Sequence, residues 1–165
     1  MKSNKQIFFH PERCLLCLSC VLACQMKHAG VTDVSRIEKG QKPGRSLKVS
    51  FSGGTPWIWK CQQCQVAPCA ESCFTGGLHL DQKSRAVVQD REACVGCGSC
   101  VLACPIDGIG LDQGEHRPEK CDLCRDEDVP ACVRACQSRA LDYDEGERFA
   151  AQKRRHFVKK LMGAK

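Results

Sequence analysis

Sixteen cysteines dominate this chain of 165 residues, and they fall into four complete sets of four with none left over. The first set, Cys14, Cys17, Cys20 and Cys24, has the spacing C-x2-C-x2-C-x3-C; the third, Cys94, Cys97, Cys100 and Cys104, repeats it and is followed by Pro105. The second, Cys61, Cys64, Cys69 and Cys73, is expanded to C-x2-C-x4-C-x3-C, and the fourth, Cys121, Cys124, Cys132 and Cys136, to C-x2-C-x7-C-x3-C. Three thiolates two residues apart wrap a loop around one corner of an iron–sulfur cubane, and the fourth, a short helical turn on, points away and ligates a different cluster. Four complete sets therefore predict four [4Fe–4S] clusters as cofactors, with iron held by cysteine alone. Gly96 and Gly98 let the backbone approach the sulfides, so that N–H groups can donate to them and help hold a buried negative charge.

The competing readings are zinc and disulfides. Two separated C-x2-C pairs suit a zinc knuckle, so the fourth set taken alone could hold zinc, and the alternative function is a zinc-binding nucleic-acid-interaction module. A run of three cysteines two apart suits tetrahedral zinc poorly. Disulfides need an oxidising compartment. Met1 to His10 is polar, with no apolar h-region and no twin-arginine pair, which predicts a cytoplasmic protein with reduced thiols. No stretch approaches the ~18 apolar residues of a membrane span.

The chain repeats itself internally. Residues 19–24 and 99–104 both read SCVLAC, and Ala67-Pro68-Cys69 matches Pro130-Ala131-Cys132 loosely. With these phrases, CQQCQVAPCAESC and KCDLC, the chain from about Phe8 to Leu141 resembles the four-cluster ferredoxin-like subunits of multi-subunit oxidoreductases. Relatives in that family serve carbon monoxide dehydrogenase, formate hydrogenlyase, dimethyl sulfoxide reductase and tungsten aldehyde oxidoreductase, and the setting implied is anaerobic metabolism. The resemblance implies a pairing of ligands. Cys14, Cys17 and Cys20 would act with Cys136; Cys121, Cys124 and Cys132 with Cys24; Cys61, Cys64 and Cys69 with Cys104; and Cys94, Cys97 and Cys100 with Cys73. The family often has proline after the last cysteine of the second and fourth sets, where this chain has Phe74 and Gln137. Leu15, Leu16 and Leu18 stand where the third set has Val95, Gly96 and Gly98. They are expected to leave ligation intact and, being apolar, to make the first cluster harder to reduce.

The elements that must position these cysteines are short. Aromatic residues are 5% of the chain, too few for a large conventional core. The expected fold class is α+β: tandem bacterial-ferredoxin-like modules, loop-rich and organised by clusters, with a C-terminal helix. Residues 1–146 form the four-cluster domain, two interleaved two-cluster modules, and residues 147–165 the helix. Lys5 to Phe9 reads as a strand. Gln25 to Lys60 reads as loop with one strand, Leu47 to Phe51, and its basic residues Arg36, Lys39, Lys42, Arg45 and Lys48 as a solvated loop or a docking surface. Leu78 to Leu80 and Ala86 to Val88 form a hairpin. Trp57 and Trp59 share a strand face and read as packing residues. His10, His28, His79, His116 and His156 show no paired spacing and read as structural or surface residues.

Glu147–Lys165 carries seven Lys or Arg against one Glu, which accounts for the whole net charge of +6. Each cluster brings roughly −2 to its site, so the loaded body should be near −8 with a basic tail. The basicity is then no footprint of nucleic acid. Phe157, Val158, Leu161 and Met162 gather on one face of the tail helix, which either covers itself on the body or docks on another protein. No Gly-rich nucleotide loop, nucleophile elbow or metal–histidine motif is present. The chain is expected to be a non-catalytic electron-transfer subunit. Its expected partners are a catalytic oxidoreductase subunit, led by tungsten aldehyde oxidoreductase or carbon monoxide dehydrogenase, a flavin- or NAD-linked redox subunit, and a second copy bound head to tail through Glu147–Lys165.

Overall fold

A computed structural model of the protein describes residues 5–37, 46–82, 86–112 and 114–163. Lys39, Lys42 and Arg45 of the basic stretch, the hairpin residues 83–85 and Lys165 lie outside the described residues. In chain order the elements are β1 (Lys5–Phe9), α1 (Ser19–Ala29), β2 (Leu47–Ser52), β3 (Thr55–Lys60), α2 (Pro68–Glu71), β4 (Leu78–Leu80), β5 (Val87–Gln89), α3 (Ser99–Ala103), β6 (Ile109–Leu111), β7 (Pro118–Lys120), α4 (Ala131–Arg134), β8 (Leu141–Glu145) and α5 (Gly146–Leu161). The strands pair two at a time as β1–β8, β2–β3, β4–β5 and β6–β7, all antiparallel. The architecture is loop-rich α+β with a C-terminal helix.

Each sheet ties the end of one cysteine set to the start of another. Strand β1 runs into the first set and β8 leaves the fourth, and their ladder places Phe9 opposite Leu141. Strand β4 leaves the second set and β5 enters the third; β6 leaves the third and β7 enters the fourth. Helix α1 packs on α4, and α2 on α3, so that short cysteine-bearing helices face one another. The helices of the second and third sets thus pack together, and they lie in sequence between those of the first and fourth sets.

The core is built largely from the cysteines. Cys24, Cys61, Cys121 and Cys132 pack with Ile7, Leu47, Leu123 and Leu141, while Cys69 and Cys100 pack with Ala67, Leu78, Val87 and Ile109. Two expectations change here. The interval Gln25 to Lys60 holds more order than a loop with one strand. The first helix continues to Ala29, and β2 pairs with β3 through a Gly53-Gly54 turn, both glycines at positive φ as a tight hairpin turn requires. Trp57 and Trp59 do share a face of β3, but it is the outer face: they are 55% and 45% exposed, and Trp59 Nε1 donates to Ser50 Oγ across the hairpin at 2.9 Å. The inner face carries Val49 and Ile58, which line the cavity beside the first set.

Among the described residues, helix α5 is anchored at its beginning. Phe149 stacks on Phe8 with ring centroids 4.0 Å apart, and the buried His10 meets the Phe149 ring edge-on. His10 Nε2 is 2.7 Å from Asp142 Oδ2, and Lys153 reaches Glu12 at 3.5 Å. Beyond that turn Phe157, Val158, Leu161 and Met162 are all at least half exposed. The apolar face is therefore not covered by the chain's own described body.

Candidate metal centres

The folding of each set begins with a turn that aims sulfurs inward. The residue just before the second cysteine has a left-handed backbone in all four sets: Leu16 (φ 55), Gln63 (φ 52), Gly96 (φ 71) and Leu123 (φ 63). Such turns present successive N–H groups on a concave side, which suits a negative cluster. Leu18 and Gly98 also match, as left-handed caps of α1 and α3. Holding a leucine in this conformation costs about 1–2 kcal/mol, so the first set adopts by strain the loop that glycine lets the third adopt freely.

The cysteines gather across the sequence. Cys14, Cys17, Cys20 and Cys136 line one cavity, with Leu15, Leu16 and Leu18 at its wall. Cys73, Cys94, Cys97 and Cys100 line a second, and Cys61, Cys64, Cys69 and Cys104 a third. Cys24, Cys121 and Cys132 share one buried core, with Cys124, also buried, close enough to act on Cys24. The last cysteines of the second, third and fourth sets are held alike: Leu78 N donates to Cys73 Sγ at 3.2 Å, Gly108 N to Cys104 Sγ at 3.3 Å, and Ala140 N to Cys136 Sγ at 3.2 Å.

Electrostatics divides the thiols. Burial, and then the neighbouring thiols Cys132, Cys121 and Cys124, push Cys24 far above the ordinary thiol range. Burial likewise pushes Cys132 up to about 12 and Cys121 and Cys69 to about 11. At the surface the direction reverses: the Ser19 hydroxyl and N–H lower Cys17, and Ser99 lowers Cys97 in the same way. Burial acts most strongly on Cys73 and would raise it, but donors from Thr75, Leu78 and Gly77 together bring it below the usual value.

These sites fit iron–sulfur clusters. Three present four thiols around one cavity and the remaining group packs in one buried core, with backbone N–H groups directed at sulfur, and buried thiols of high pKa need a cation to ionise them. Among the described residues, no three His, Cys, Asp or Glu converge closely enough to hold a single metal ion. The zinc reading finds no support in these sites.

Sequence reasoning missed several residues at these sites. Lys60 and Lys120, each directly before the first cysteine of a set, are buried, and so is Gln63, whose Nε2 donates to Cys121 O at 2.6 Å while its Oε1 accepts from Val87 N at 2.8 Å. The matching phrases Lys60-Cys61 and Lys120-Cys121 were the available signal. Gly77 and Gly108 were missed too. A Cβ on Gly77 would lie 2.9 Å from Cys94 Cα, and one on Gly108 would lie 3.0 Å from Cys61 Cα. Each glycine follows the last cysteine of one set and lies against the first cysteine of the other. Gly77→Ala and Gly108→Ala should each destabilise the loaded protein by about 1–3 kcal/mol, the usual penalty of overpacking. Anaerobic iron release in guanidinium would measure it, and release at the wild-type midpoint would show that these backbones part freely.

Comparison with known proteins identifies the family. Residues 56–146 match the family model described as a 4Fe-4S dicluster domain. An iron-sulfur protein of Rhodospirillum rubrum is 34% identical, covering 86% of this chain and 82% of its own. The electron transport protein HydN of Escherichia coli is 33% identical over 92% of this chain and 96% of its own. The polyferredoxin-like subunit of an aliphatic sulfonate oxidoreductase from Pyrococcus furiosus is 33% identical over 82% of this chain and 73% of its own.

Proposed function

Since the chain belongs to the 4Fe-4S dicluster family of ferredoxin-like electron-transfer subunits, we propose that it carries electrons through four [4Fe–4S] clusters between a catalytic oxidoreductase subunit and a second redox partner. The observation that carries this is the gathering of all sixteen cysteines into four groups of four, three of them around a common cavity. The same grouping supports the ligand pairing in which each set lends its last cysteine to another set's site. A cluster bound there supplies a one-electron couple. The chain's own residues hold the sulfurs, donate N–H groups to them and surround them with apolar side chains. The chain itself is not the catalyst. Anaerobically prepared protein should contain about sixteen iron and sixteen sulfide per chain, with EPR signals on reduction. A reproducible value near eight iron would mean that half the sets hold no cluster.

The proposed catalytic partner is a tungsten aldehyde oxidoreductase first and a carbon monoxide dehydrogenase second, and the proposed second redox partner is a flavin- or NAD-linked subunit. The chain's compact, single-function build supports that order, and likeness to a polyferredoxin-like subunit of an oxidoreductase supports a catalytic partner in general. Co-purification from the native host, with tungsten and nickel assayed, tests it. Among the described residues no helix is long and apolar enough to cross a membrane.

The segment 147–165 is the proposed docking element, on the catalytic subunit or head to tail on a second copy. Its exposed apolar face and its basic charge against a body made negative by clusters support this. Deleting residues 147–165 should leave iron content unchanged and shrink the native complex, and raised salt should weaken the same contact. Full assembly size and full electron-transfer activity after truncation would remove the proposal.

A further inference from the structure

Lysine is almost never fully buried without a partner, because an unpaired charge in a low dielectric is costly. Lys60 is 4% exposed and Lys120 7%. Neither belongs to the ion-paired lysines of the described residues, which are Lys27, Lys48 and Lys153. The two are held alike. Lys60 Nζ reaches Cys61 O at 3.4 Å and Gln62 Oε1 at 3.2 Å, and Lys120 Nζ reaches Cys121 O at 3.0 Å. Carbonyl and amide oxygens are neutral, so among the described residues these contacts give neither ammonium a carboxylate partner.

Position supplies a counter-charge. Lys60 ends β3 opposite Leu47, and Leu47 packs in the core that holds Cys24, Cys121 and Cys132 together with Cys61. Lys120 ends β7 opposite Ile109, and Ile109 lines the cavity of Cys61, Cys64, Cys69 and Cys104. Gln63 joins the two places, bonded at one end to Cys121 O and at the other to Val87, which lines that same cavity. The charge interactions couple each lysine to both sets: burial works against the charge of Lys60 while Cys121, Cys61 and Cys132 favour it, and Lys120 acts on both Cys121 and Cys69. Each lysine therefore sits beside one set in sequence and also reaches the other set in space.

We propose that Lys60 and Lys120 are crosswise charge partners at the junction of the two modules: Lys60 raises the reduction potential of the site formed by Cys24, Cys121, Cys124 and Cys132, and Lys120 that of the site formed by Cys61, Cys64, Cys69 and Cys104. The proposal rests on the reading of these sites as cluster sites. Reduction adds a negative charge to a site already negative, and a fixed cation in a low-dielectric surrounding favours the reduced form. A matched pair of cations also keeps the two junction sites close in potential, so that an electron crosses between modules without a large uphill step.

Lys60→Met and Lys120→Met test this by iron content and redox-poised EPR. The two junction signals are assigned by Cys24→Ser and Cys104→Ser, each of which alters one of them. Each methionine variant should retain its iron and lose at least tenfold in one reduction equilibrium, a downward shift of about 59 mV for a one-electron couple. Lys60→Met should shift the signal that Cys24→Ser alters, and Lys120→Met the signal that Cys104→Ser alters. Unshifted potentials, an equal shift of every cluster, or a shift confined to the sequence-adjacent site would overturn the proposal. If a methionine variant fails to load iron, an arginine variant that loads and keeps the wild-type potential supports the charge role, and one that also fails assigns the lysine to packing and overturns it. Wild-type protein without reducible clusters would instead sink the electron-carrier reading itself.

Discussion

Stripping iron from this protein should unfold it. In most domains the core is hydrocarbon and survives loss of a bound group, but here the two buried clusters of side chains are assembled around cysteines. The hydrocarbon partners are few, with Leu78, Val87 and Ile109 the largest in one cluster and Ile7, Leu47, Leu123 and Leu141 in the other. Among the described residues the strands reach six residues at most and pair only two at a time, and an isolated pair of strands is marginal in water. Metal-binding free energy in such domains is folding free energy, and it is set against a total stability of only about 5–15 kcal/mol in ordinary domains. Anaerobic chelation should abolish the cooperative unfolding transition and collapse the dispersion of amide NMR signals. An iron-free chain with sharp, dispersed signals would contradict this. Acid should act in the same direction. The iron-free thiols of Cys69, Cys121 and Cys132 bind protons up to about pH 11–12, so protons compete with iron throughout the lower range, and iron affinity should fall as pH falls.

Removing one distant cysteine should damage a cluster site more than a hundred residues away in sequence. Cys136 stands in the cavity of Cys14, Cys17 and Cys20, brought there by the β1–β8 ladder, and its sulfur accepts from Ala140 N. Cys136→Ala should therefore abolish or convert the redox signal of the first set and lower iron by up to one cluster. The site of Cys61, Cys64, Cys69 and Cys104 lies in the other module and should keep its signal. Cys73→Ala is the companion variant, expected to disturb the site of Cys94, Cys97 and Cys100. The measurement is iron per chain together with EPR of the reduced variants. Loss confined to a signal of Cys121, Cys124 and Cys132 on removing Cys136 would show that each set holds its own four ligands.

Legibility followed the range of the interaction concerned. The hairpin of Leu78–Leu80 with Val87–Gln89, the strand Lys5–Phe9 and the C-terminal helix were readable because alternation and periodicity are local. Trp57 and Trp59 were readable as sharing a face but not as facing outward, because which face is covered depends on the other side of the sheet, here Val49 and Ile58 against the first cavity. The left-handed turns at Leu16, Gln63 and Leu123 carry no glycine to announce them. Lys60 and Lys120 look like any lysine at a strand end, and only packing buries them.

The sequence by itself determined the donor chemistry: sixteen thiols, their division into four sets, and the repeat that makes one pair of sets a copy of the other. Spacing along the chain suffices for that, because the first three thiols of a set are within reach of one another through a few covalent bonds. Which distant cysteine stands beside each set was implied by resemblance alone, and its physical cause is tertiary: the strand pairings β1–β8 and β4–β5 and the close approach of Gly108 to Cys61. Only the tertiary structure decided that two lysines lie buried at the module junction and that the tail's apolar face stays open beyond Lys153. These depend on contacts between residues far apart in sequence, whose outcome is set by how the whole chain fills space around its cysteines.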